Sequence, residues 1–403
     1  MYPTPPKQLL RPLSINTEWG FSISETIKSG IIVFREHDNK IEILLLHRQK
    51  QNDWSFPKGH VEANEGLLEA GLRELSEEAN VQPMIIGRLT DLKYLDGKSK
   101  PISLALFLGY SNEKESPHKM NHEGETAEWV PLTQAKDTLS YKNLQIYFSE
   151  CIEPLFSQGL PFRRVPVNII FSKTELYQNG AELLSQTLLE KGAIAHHTEL
   201  DELNLDVKGL SAKCINYFLS NHQNIPNAAF WCNEYGDYVI NKTYLESSHS
   251  KSQVQRTLQK QQLPVLPSRP SHPSEMKRDP SWILKNEKHD IRDFHQDHTC
   301  RWGTYVEQRA DTERFKEIKL GYVAGQIITD ASDFHTSPNL ITALHRVQEC
   351  LGLEIFSVDV FRNNAETFYI VDVNPAPAFF QNRKARLAFA DYVWLIGNFY
   401  LNF

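Results

Sequence analysis

The chain has 403 residues, of which 40% are hydrophobic and 23% are charged. At roughly 150 residues per domain, this length predicts two or three domains, and the apolar content excludes a wholly disordered chain. The net charge of −7 excludes a chain-wide basic field that would recruit nucleic acid.

Two further observations bear on where the protein works. No apolar run approaches the roughly 18 residues that a membrane helix requires. The five cysteines are scattered without a CxxC pair, as is usual for reduced thiols. We therefore expect a cytoplasmic protein with small-molecule partners and no membrane contact, whose oligomeric state the sequence leaves open.

The N-terminal part is predicted to hold a short tail at residues 1–20 and a compact α/β domain at 21–157. Its signals are β-rich runs, a helix and a closing helix, bounded by a linker that begins at residue 158. The predicted elements are strands at 30–34, 41–46 and 102–110 and helices at 67–78 and 141–156.

The predicted helix near residue 70 carries an apolar seam and an acidic face. Leu68, Leu72, Leu75 and Ala79 recur at spacings of four, three and four, which is the pattern of a helix that packs on a core. Three glutamates at 74, 77 and 78 share a neighbouring face, and like charges so placed repel. Such a face is either simply solvated or bound to a hard divalent cation, Mg²⁺ or Mn²⁺.

The spacing around this helix resembles the Nudix box, G-x(5)-E-x(7)-R-E-U-x-E-E-x-G-U, where U is apolar. The matching positions are Gly59, Glu65, Arg73, Glu74, Leu75, Glu77, Glu78 and Val81. Asn80 replaces the last glycine, and asparagine also tolerates the left-handed backbone that ends a helix. The resemblance implies a Nudix α/β/α sandwich with a mixed sheet.

The segment from Trp54 to Glu65 is also similar to the asymmetrical diadenosine tetraphosphate hydrolases, which carry a Pro-Lys-Gly-His-Val-Glu string before the box. This resemblance implies a Mg²⁺-dependent hydrolase of a nucleoside diphosphate linked to another moiety. It implies that Glu74 and Glu78 bind the metal with the Gly59 carbonyl nearby.

Further roles follow from the same resemblance. It implies that Glu77 or Glu123 orients or deprotonates the attacking water, that Arg73 braces the carboxylates, and that Lys58 meets a substrate phosphate. The middle strand, residues 103–108, offers one aromatic where that subgroup has a tyrosine and a tryptophan near the base. A diphosphoinositol phosphate, a nucleotide sugar or a capped RNA end therefore stays open as the substrate.

Two further domains are predicted, at 158–242 and at 243–403. The first shows strands at 165–171 and 227–231 around a helix at 180–191, which is typical of an open parallel sheet. The second is again α/β, with predicted strands at 282–285, 304–308, 318–323, 355–361 and 368–373.

The last predicted strands carry acids. Alternation places Asp372 and Asn374 on one face, and Asp359 lies in an adjacent apolar strand. These oxygens suit a Mg²⁺ site, but Asp372 and Asn374 could equally cap a turn into Pro375.

The order of elements over residues 165–400 resembles the ATP-grasp fold with its usual open-sheet lead-in domain. The resemblance implies that Asp359, Asp372 and Asn374 bind Mg²⁺. Its other implied contacts are with ATP: phosphates at Lys251 and Lys285, adenine at the backbone of Tyr305, Val306 and Glu307, and ribose at Glu313.

The chemistry implied by ATP-grasp relatives is ATP-dependent carboxylate–amine ligation, and some relatives phosphorylate inositol phosphates. A departure is the absence of glycine between Asn286 and Arg292, where a phosphate loop normally follows the second lysine. The alternative is a nucleotide-sensing module that regulates the hydrolase.

Overall fold

The structure is a computed structural model. It describes most of the chain, and the following ranges are those for which positions are given: 10–11, 26–63, 65–112, 125–157, 165–200, 214–220, 238–246, 250–270, 282–285, 291–293, 305–308, 311, 313–329, 336–363 and 367–401. Of the helices in these ranges, none combines the length and apolarity needed to cross a lipid bilayer.

The first nine strands form one sheet. They are β1 (Leu10–Arg11), β2 (Thr26–His37), β3 (Lys40–Arg48), β4 (Asp53–Ser55), β5 (Lys58–His60), β6 (Met84–Leu89), β7 (Leu92–Leu95), β8 (Pro101–Tyr110) and β9 (Glu125–Pro131). The main order is β1-β6-β8-β2-β3-β4, with β5 beside β2, β7 beside β8 and β9 beside β3. Only β2 and β8 pair in parallel, so the predicted mixed sheet is confirmed.

Helices cover both faces of this sheet. They are α1 (Leu67–Ala79), α2 (Leu132–Thr138) and α3 (Lys142–Tyr147), which continues as a π-turn (Phe148–Ile152) and a 3₁₀ turn (Glu153–Phe156). On β2, Ile31 and Val33 pack with the predicted apolar seam of α1, whereas Ile32 and Phe34 pack with Phe148 on the other face. This strict alternation is what a two-sided buried strand requires and gives the predicted sandwich.

The second sheet is parallel throughout. Its strands are β10 (Pro166–Phe171), β11 (Ile194–Glu199), β12 (Ile215–Leu219) and β13 (Tyr238–Val239), in the order β11-β10-β12-β13, with α4 (Glu175–Glu190) beside it. The predicted parallel architecture is confirmed, but β11 and β12 were not predicted, and the strand predicted at 227–231 lies outside the described residues.

Two antiparallel four-stranded sheets complete the described chain. One contains β14 (Ser268–Pro270), β15 (Trp282–Lys285), β16 (Ile291–Asp293) and β17 (Tyr305–Gln308), and the other β18 (Lys316–Val323), β19 (Gln326–Ile328), β20 (Ile355–Arg362) and β21 (Phe368–Asn374). The helices here are α5 (Lys242–Glu246), α6 (Lys251–Lys260), α7 (Pro338–Leu351) and α8 (Arg383–Tyr400), with a 3₁₀ turn at Ala378–Gln381.

One hydrophobic cluster contains residues of both the N-terminal and the C-terminal half. The Phe399 ring of α8 packs edge-on against Phe34, with centroids 5.7 Å apart. The hydroxyl of Tyr400 donates to the Ile86 carbonyl at 2.9 Å, so α8 also makes a buried polar contact with β6. The last helix of the chain therefore covers the face of the first sheet opposite α1.

Candidate active site

Gly59 and α1 are brought together by the edge of the first sheet. β5 pairs with β2 so that Gly59 lies opposite Ser29, and the Ser29 hydroxyl donates to the Leu67 carbonyl at the start of α1. A Cβ atom on Gly59 would lie 1.9 Å from the Glu74 carboxyl carbon, which no side chain permits. Glycine at 59 is thus required for the Glu74 carboxylate to lie against the backbone of β5.

Arg73 organises the acidic face of α1. Its guanidinium donates two hydrogen bonds to Glu65, at 2.7 and 3.0 Å, and one to Glu74 at 2.9 Å. It also reaches Glu77 at 3.3 Å and the His60 carbonyl at 2.9 Å. The planar fork fixes both the position and the orientation of these groups.

Glu78 and Lys58 meet at the other end of this face. The backbone N–H of Lys58 donates to a Glu78 carboxylate oxygen at 2.9 Å, and the Lys58 ammonium donates to the Ser55 hydroxyl at 3.0 Å. Burial raises the pKa of Glu78 and lowers that of Lys58, and the negative charge of Glu74 raises the Glu78 pKa further. The Lys58 ammonium opposes this rise without cancelling it, so the charged form of Glu78 would be favoured by a further cation.

Glu125 is a neighbour of this site that sequence reasoning missed. It begins β9, opposite Arg48 of β3, and its charge contributes to raising the pKa of Glu78. The sequence signal that could have found Glu125 is its position two residues after Glu123, the predicted candidate for orienting or deprotonating the water. Glu123 itself lies outside the described residues. Glu125 is thus a carboxylate near Glu78 that lies on a different element from α1.

The donor set suits a hard divalent cation. Glu74 and Glu78 offer carboxylate oxygens, and the Glu74 side chain is 16% exposed, against 52% for Glu77. Burial raises the pKa of Glu74 as well, so two inward-facing acids lack full compensation in the protein alone. Within the described residues, no three metal-ligating side chains are close enough to complete a site.

A second row of charges crosses the C-terminal sheet. Asp359 of β20 pairs in register with Lys319 on one side and Asp372 on the other. Lys319 lies 3.4 Å from Asp359, and Lys251, the first residue of α6, contacts both carboxylate oxygens of Asp372 at 2.8 Å. Burial raises the pKa of Asp359, and the neighbouring Asp372 raises it further.

Asn374 differs from the two aspartates of this row. Its side-chain oxygen accepts the N–H of Ala376 at 3.0 Å, so it caps the turn after β21. The turn-capping alternative therefore describes Asn374, whereas Asp372 faces Lys251. Glu313 is exposed in a turn, where its backbone N–H donates to Asp311 at 3.1 Å.

The remaining predicted ATP contacts lie on neighbouring strands. In the β15–β17 ladder, Lys285 pairs with Tyr305, Leu284 with Val306, and Ile283 with Glu307. For these six residues, the structure describes the backbone alone. The predicted lysine strand and the predicted adenine strand are therefore adjacent.

Comparison with known proteins identifies the N-terminal domain. The NUDIX domain profile matches residues 26–148. The asymmetrical bis(5'-nucleosyl)-tetraphosphatase of Caenorhabditis elegans is 30% identical over 120 residues, covering 29% of this chain and 86% of that enzyme. The enzyme of the same name from Mus musculus is 30% identical over 132 residues, covering 30% of this chain and 89% of that enzyme.

The chain also has a distant structural likeness to the ATP-grasp ligase PsnB complexed with minimal precursor. The identity is 14%, the TM-score is 0.43, and the match covers 56% of this chain and 98% of that one. A likeness this distant identifies neither the fold nor the activity of the C-terminal half. The resemblance of that half to ATP-grasp proteins stays a prediction.

The similarity to the worm enzyme spans most of that enzyme's length, and the matched region contains the glutamate-bearing helix α1 with its arginine network. The prediction of a Nudix hydrolase at the N-terminus is thereby confirmed. Through this domain, the chain belongs to the Nudix family.

Proposed function

We propose that the N-terminal domain is a Mg²⁺-dependent (or Mn²⁺-dependent) hydrolase that cleaves a phosphoanhydride of a dinucleoside polyphosphate such as diadenosine tetraphosphate. The observation that carries this proposal is the pair of inward-facing carboxylates, Glu74 and Glu78, held beside Gly59 and Lys58. The names of the similar worm and mouse enzymes support the choice of substrate class.

Glu74 and Glu78 would hold the metal, with the Gly59 carbonyl close by. A bound divalent ion neutralises polyphosphate charge and makes an attacking water more acidic. Arg73 keeps the Glu74 carboxylate in place, and the Lys58 ammonium, which donates to the Ser55 hydroxyl, lowers the pKa of Glu78.

The base that accepts the water's proton is proposed to be Glu77 or Glu123, as the resemblance implies. Glu125 adds a third candidate, because it begins β9, which packs against α1. Separate Glu→Gln variants at these three positions would distinguish them. The base variant is expected to lower kcat while Mg²⁺ affinity is retained.

The direct test is incubation of the full chain with diadenosine tetraphosphate and Mg²⁺, followed by chromatography of the products. Asymmetric cleavage yields ATP and AMP, whereas symmetric cleavage yields two ADP. A chelator serves as the matched blank. Absence of cleavage with either Mg²⁺ or Mn²⁺ would contradict the substrate proposal, and nucleotide sugars, capped RNA and diphosphoinositol phosphates would then be assayed in turn.

For the C-terminal half, we propose an ATP-grasp unit, with 158–242 as its lead-in domain and 243–403 as its ATP-binding domain. Mg²⁺ would lie at Asp359, Asp372 and Asn374. The observation in favour is the row of two acids flanked by Lys251 and Lys319, which offers carboxylates for Mg²⁺ and cations for phosphate side by side.

Two activities follow from this proposal: ATP-dependent carboxylate–amine ligation, or nucleotide sensing that regulates the hydrolase. ATP turnover measured against pools of amino acids, peptides and inositol phosphates separates them. Turnover with an acceptor supports an enzyme, with inositol phosphates indicating a kinase. ATP binding without turnover, together with a changed hydrolase rate, supports a sensor, and absence of ATP binding contradicts both.

A further inference from the structure

A helix of the C-terminal half contacts the first turn of the Nudix helix. The backbone N–H of Leu68, in the first turn of α1, donates to a carboxylate oxygen of Glu349 on α7 at 3.1 Å. On the same two helices, the Arg346 guanidinium donates to Glu69 at 2.6 Å. One acid and one base of α7 are thus paired with the start of α1.

The start of α1 is capped partly from within and partly by α7. Glu69 of α1 accepts the N–H of Gly66 at 3.1 Å, but Gly66, the cap residue, has no side chain that could accept from Leu68. A helix begins with N–H groups that lack partners within the helix, and a nearby side chain normally accepts from them. The residue before α1 is Gly66, so the acceptor for Leu68 is supplied by Glu349, which lies 281 positions away in the chain. A Cβ on Gly66 would lie 2.3 Å from a Glu349 oxygen, so the glycine admits this carboxylate.

The contact is connected to the metal-binding acids through a short series of hydrogen bonds. Gly66 follows Glu65 directly, and Glu65 accepts the two hydrogen bonds that orient Arg73. Arg73 in turn donates to Glu74, whose carboxylate lies against Gly59. A shift of the first turn of α1 would therefore move the arginine fork and, with it, Glu74.

We propose that Glu349 is a positioning residue for the Nudix site, so that hydrolysis at α1 depends on a helix supplied by the C-terminal half. This inference rests on the proposed hydrolase function for its kinetic consequence. Its structural consequence, an α1 first turn held by α7, is independent of any activity. Glu349 acts through α1 and does not itself contact the substrate.

The test uses the full chain and two substitutions at one position. Glu349→Ala removes the acceptor for the Leu68 N–H. We expect kcat for diadenosine tetraphosphate to fall about tenfold and KM to stay within about twofold, because displacement of Glu74 would slow the chemical step more than substrate binding. Hydrogen–deuterium exchange in residues 65–74 is expected to accelerate in the same variant. Glu349→Gln keeps an oxygen that accepts from Leu68 and is expected to restore most of kcat and the slow exchange.

A matched control is Glu354→Gln. Glu354 is also buried in the C-terminal half and also accepts a backbone N–H, that of Asn241 at 2.7 Å, but its side chain is bound by Tyr238 and Tyr392, away from α1. We expect this variant to lower the melting temperature while kcat and the exchange of residues 65–74 stay at wild-type values.

The outcomes separate the two proposals. If the wild type hydrolyses no substrate but Glu349→Ala still accelerates exchange in residues 65–74, the hydrolase proposal is contradicted and the positioning contact is supported. If the wild type is active but Glu349→Ala leaves both kcat and exchange unchanged, the positioning role is overturned. An equal loss of kcat in Glu349→Gln and in Glu354→Gln would overturn it too. If Glu349→Ala does not fold, Arg346→Ala tests the same helix pair through Glu69.

Discussion

The two acidic sites described above are built in opposite ways. In the Nudix domain, Glu74 and Glu78 are held by Arg73 and by the backbone N–H of Lys58, all within about twenty positions of one another. In the C-terminal sheet, Asp372 is paired with Lys251, which lies 121 positions earlier. One site is a local segment, and the other is assembled by the fold.

The partners also differ in chemistry, and this difference separates what each site can do. A guanidinium fork fixes the orientation of Glu65 and Glu74 and stays charged at any physiological pH. Lysines are point charges on flexible stems, so the proposed ATP site would let Lys251 leave Asp372 for a phosphate when metal binds the acid. The first arrangement suits a rigid metal cradle, and the second suits a nucleotide site that changes partners on binding.

The largest effect is expected from Glu78→Gln. The change removes an ionisable group from the proposed metal-binding pair at constant size, and we expect hydrolysis to fall at least about a thousandfold because metal affinity would be lost. Steady-state kinetics and calorimetric Mg²⁺ titration check this. Glu128→Gln, on the exposed side of β9, is the matched control and should retain full activity. Full activity in Glu78→Gln would remove the basis of the proposed cradle.

A second test addresses the backbone side of the cradle. In Gly59→Ala the new methyl group would overlap the Glu74 carboxyl, so the acid must move, and we expect kcat to fall roughly a hundredfold. Gly97→Ala is the control, since nothing lies within 4 Å of a Cβ there. Comparable melting temperatures with unequal kcat would agree with a positional effect, whereas equal kcat would argue against close contact between Gly59 and Glu74.

The C-terminal row is tested by Lys251→Ala. Removing this ammonium takes away a direct cation partner of Asp372, and we expect a loss of about 1–2 kcal/mol in the free energy of unfolding. If Lys251 contacts an ATP phosphate as proposed, ATP affinity is expected to fall at least about tenfold. Lys260→Ala, on an exposed position of the same helix, is the control. Chemical denaturation and ATP titration measure both quantities; wild-type values for both would contradict the assignment.

The smallest effect is expected from Lys319→Ala. This lysine is 60% exposed, against 20% for Lys251, so solvent screens its pairing with Asp359. We expect a change of less than about 0.5 kcal/mol in the free energy of unfolding, smaller still at high salt. A loss as large as that of Lys251→Ala would show that the two cations of the row are equivalent, contrary to their exposures.

The N-terminal site was accessible to sequence reasoning because its signals are local. The predicted helix at 67–78 is observed at Leu67–Ala79, its apolar seam is buried, and Asn80 has the left-handed conformation expected of a residue replacing glycine, with φ of 51°. Spacing on a helix dictates which side chains share a face, so a motif of some twenty residues carries its own geometry.

Other features carried weaker signals or none. β11 contains polar residues such as His196 and His197 at the edge of its sheet, so its apolar pattern is faint. The bond from Leu68 to Glu349 joins residues that no periodicity relates, and the register between Asp359 and Asp372 depends on a bulge in the ladder. Long-range pairing of this kind is set by the folded topology, which single-sequence patterns do not encode.

The contact of Phe399 with Phe34 has a practical consequence for anyone who wants to divide this polypeptide. A recombinant fragment that stops after the tetraphosphatase-like segment would expose to water the part of that surface which α8 covers, while Phe148 and Phe156 still cover the rest. Such a fragment is expected to precipitate or self-associate on expression. Polar replacements at the side chains that α8 contacts are expected to make such a fragment more soluble.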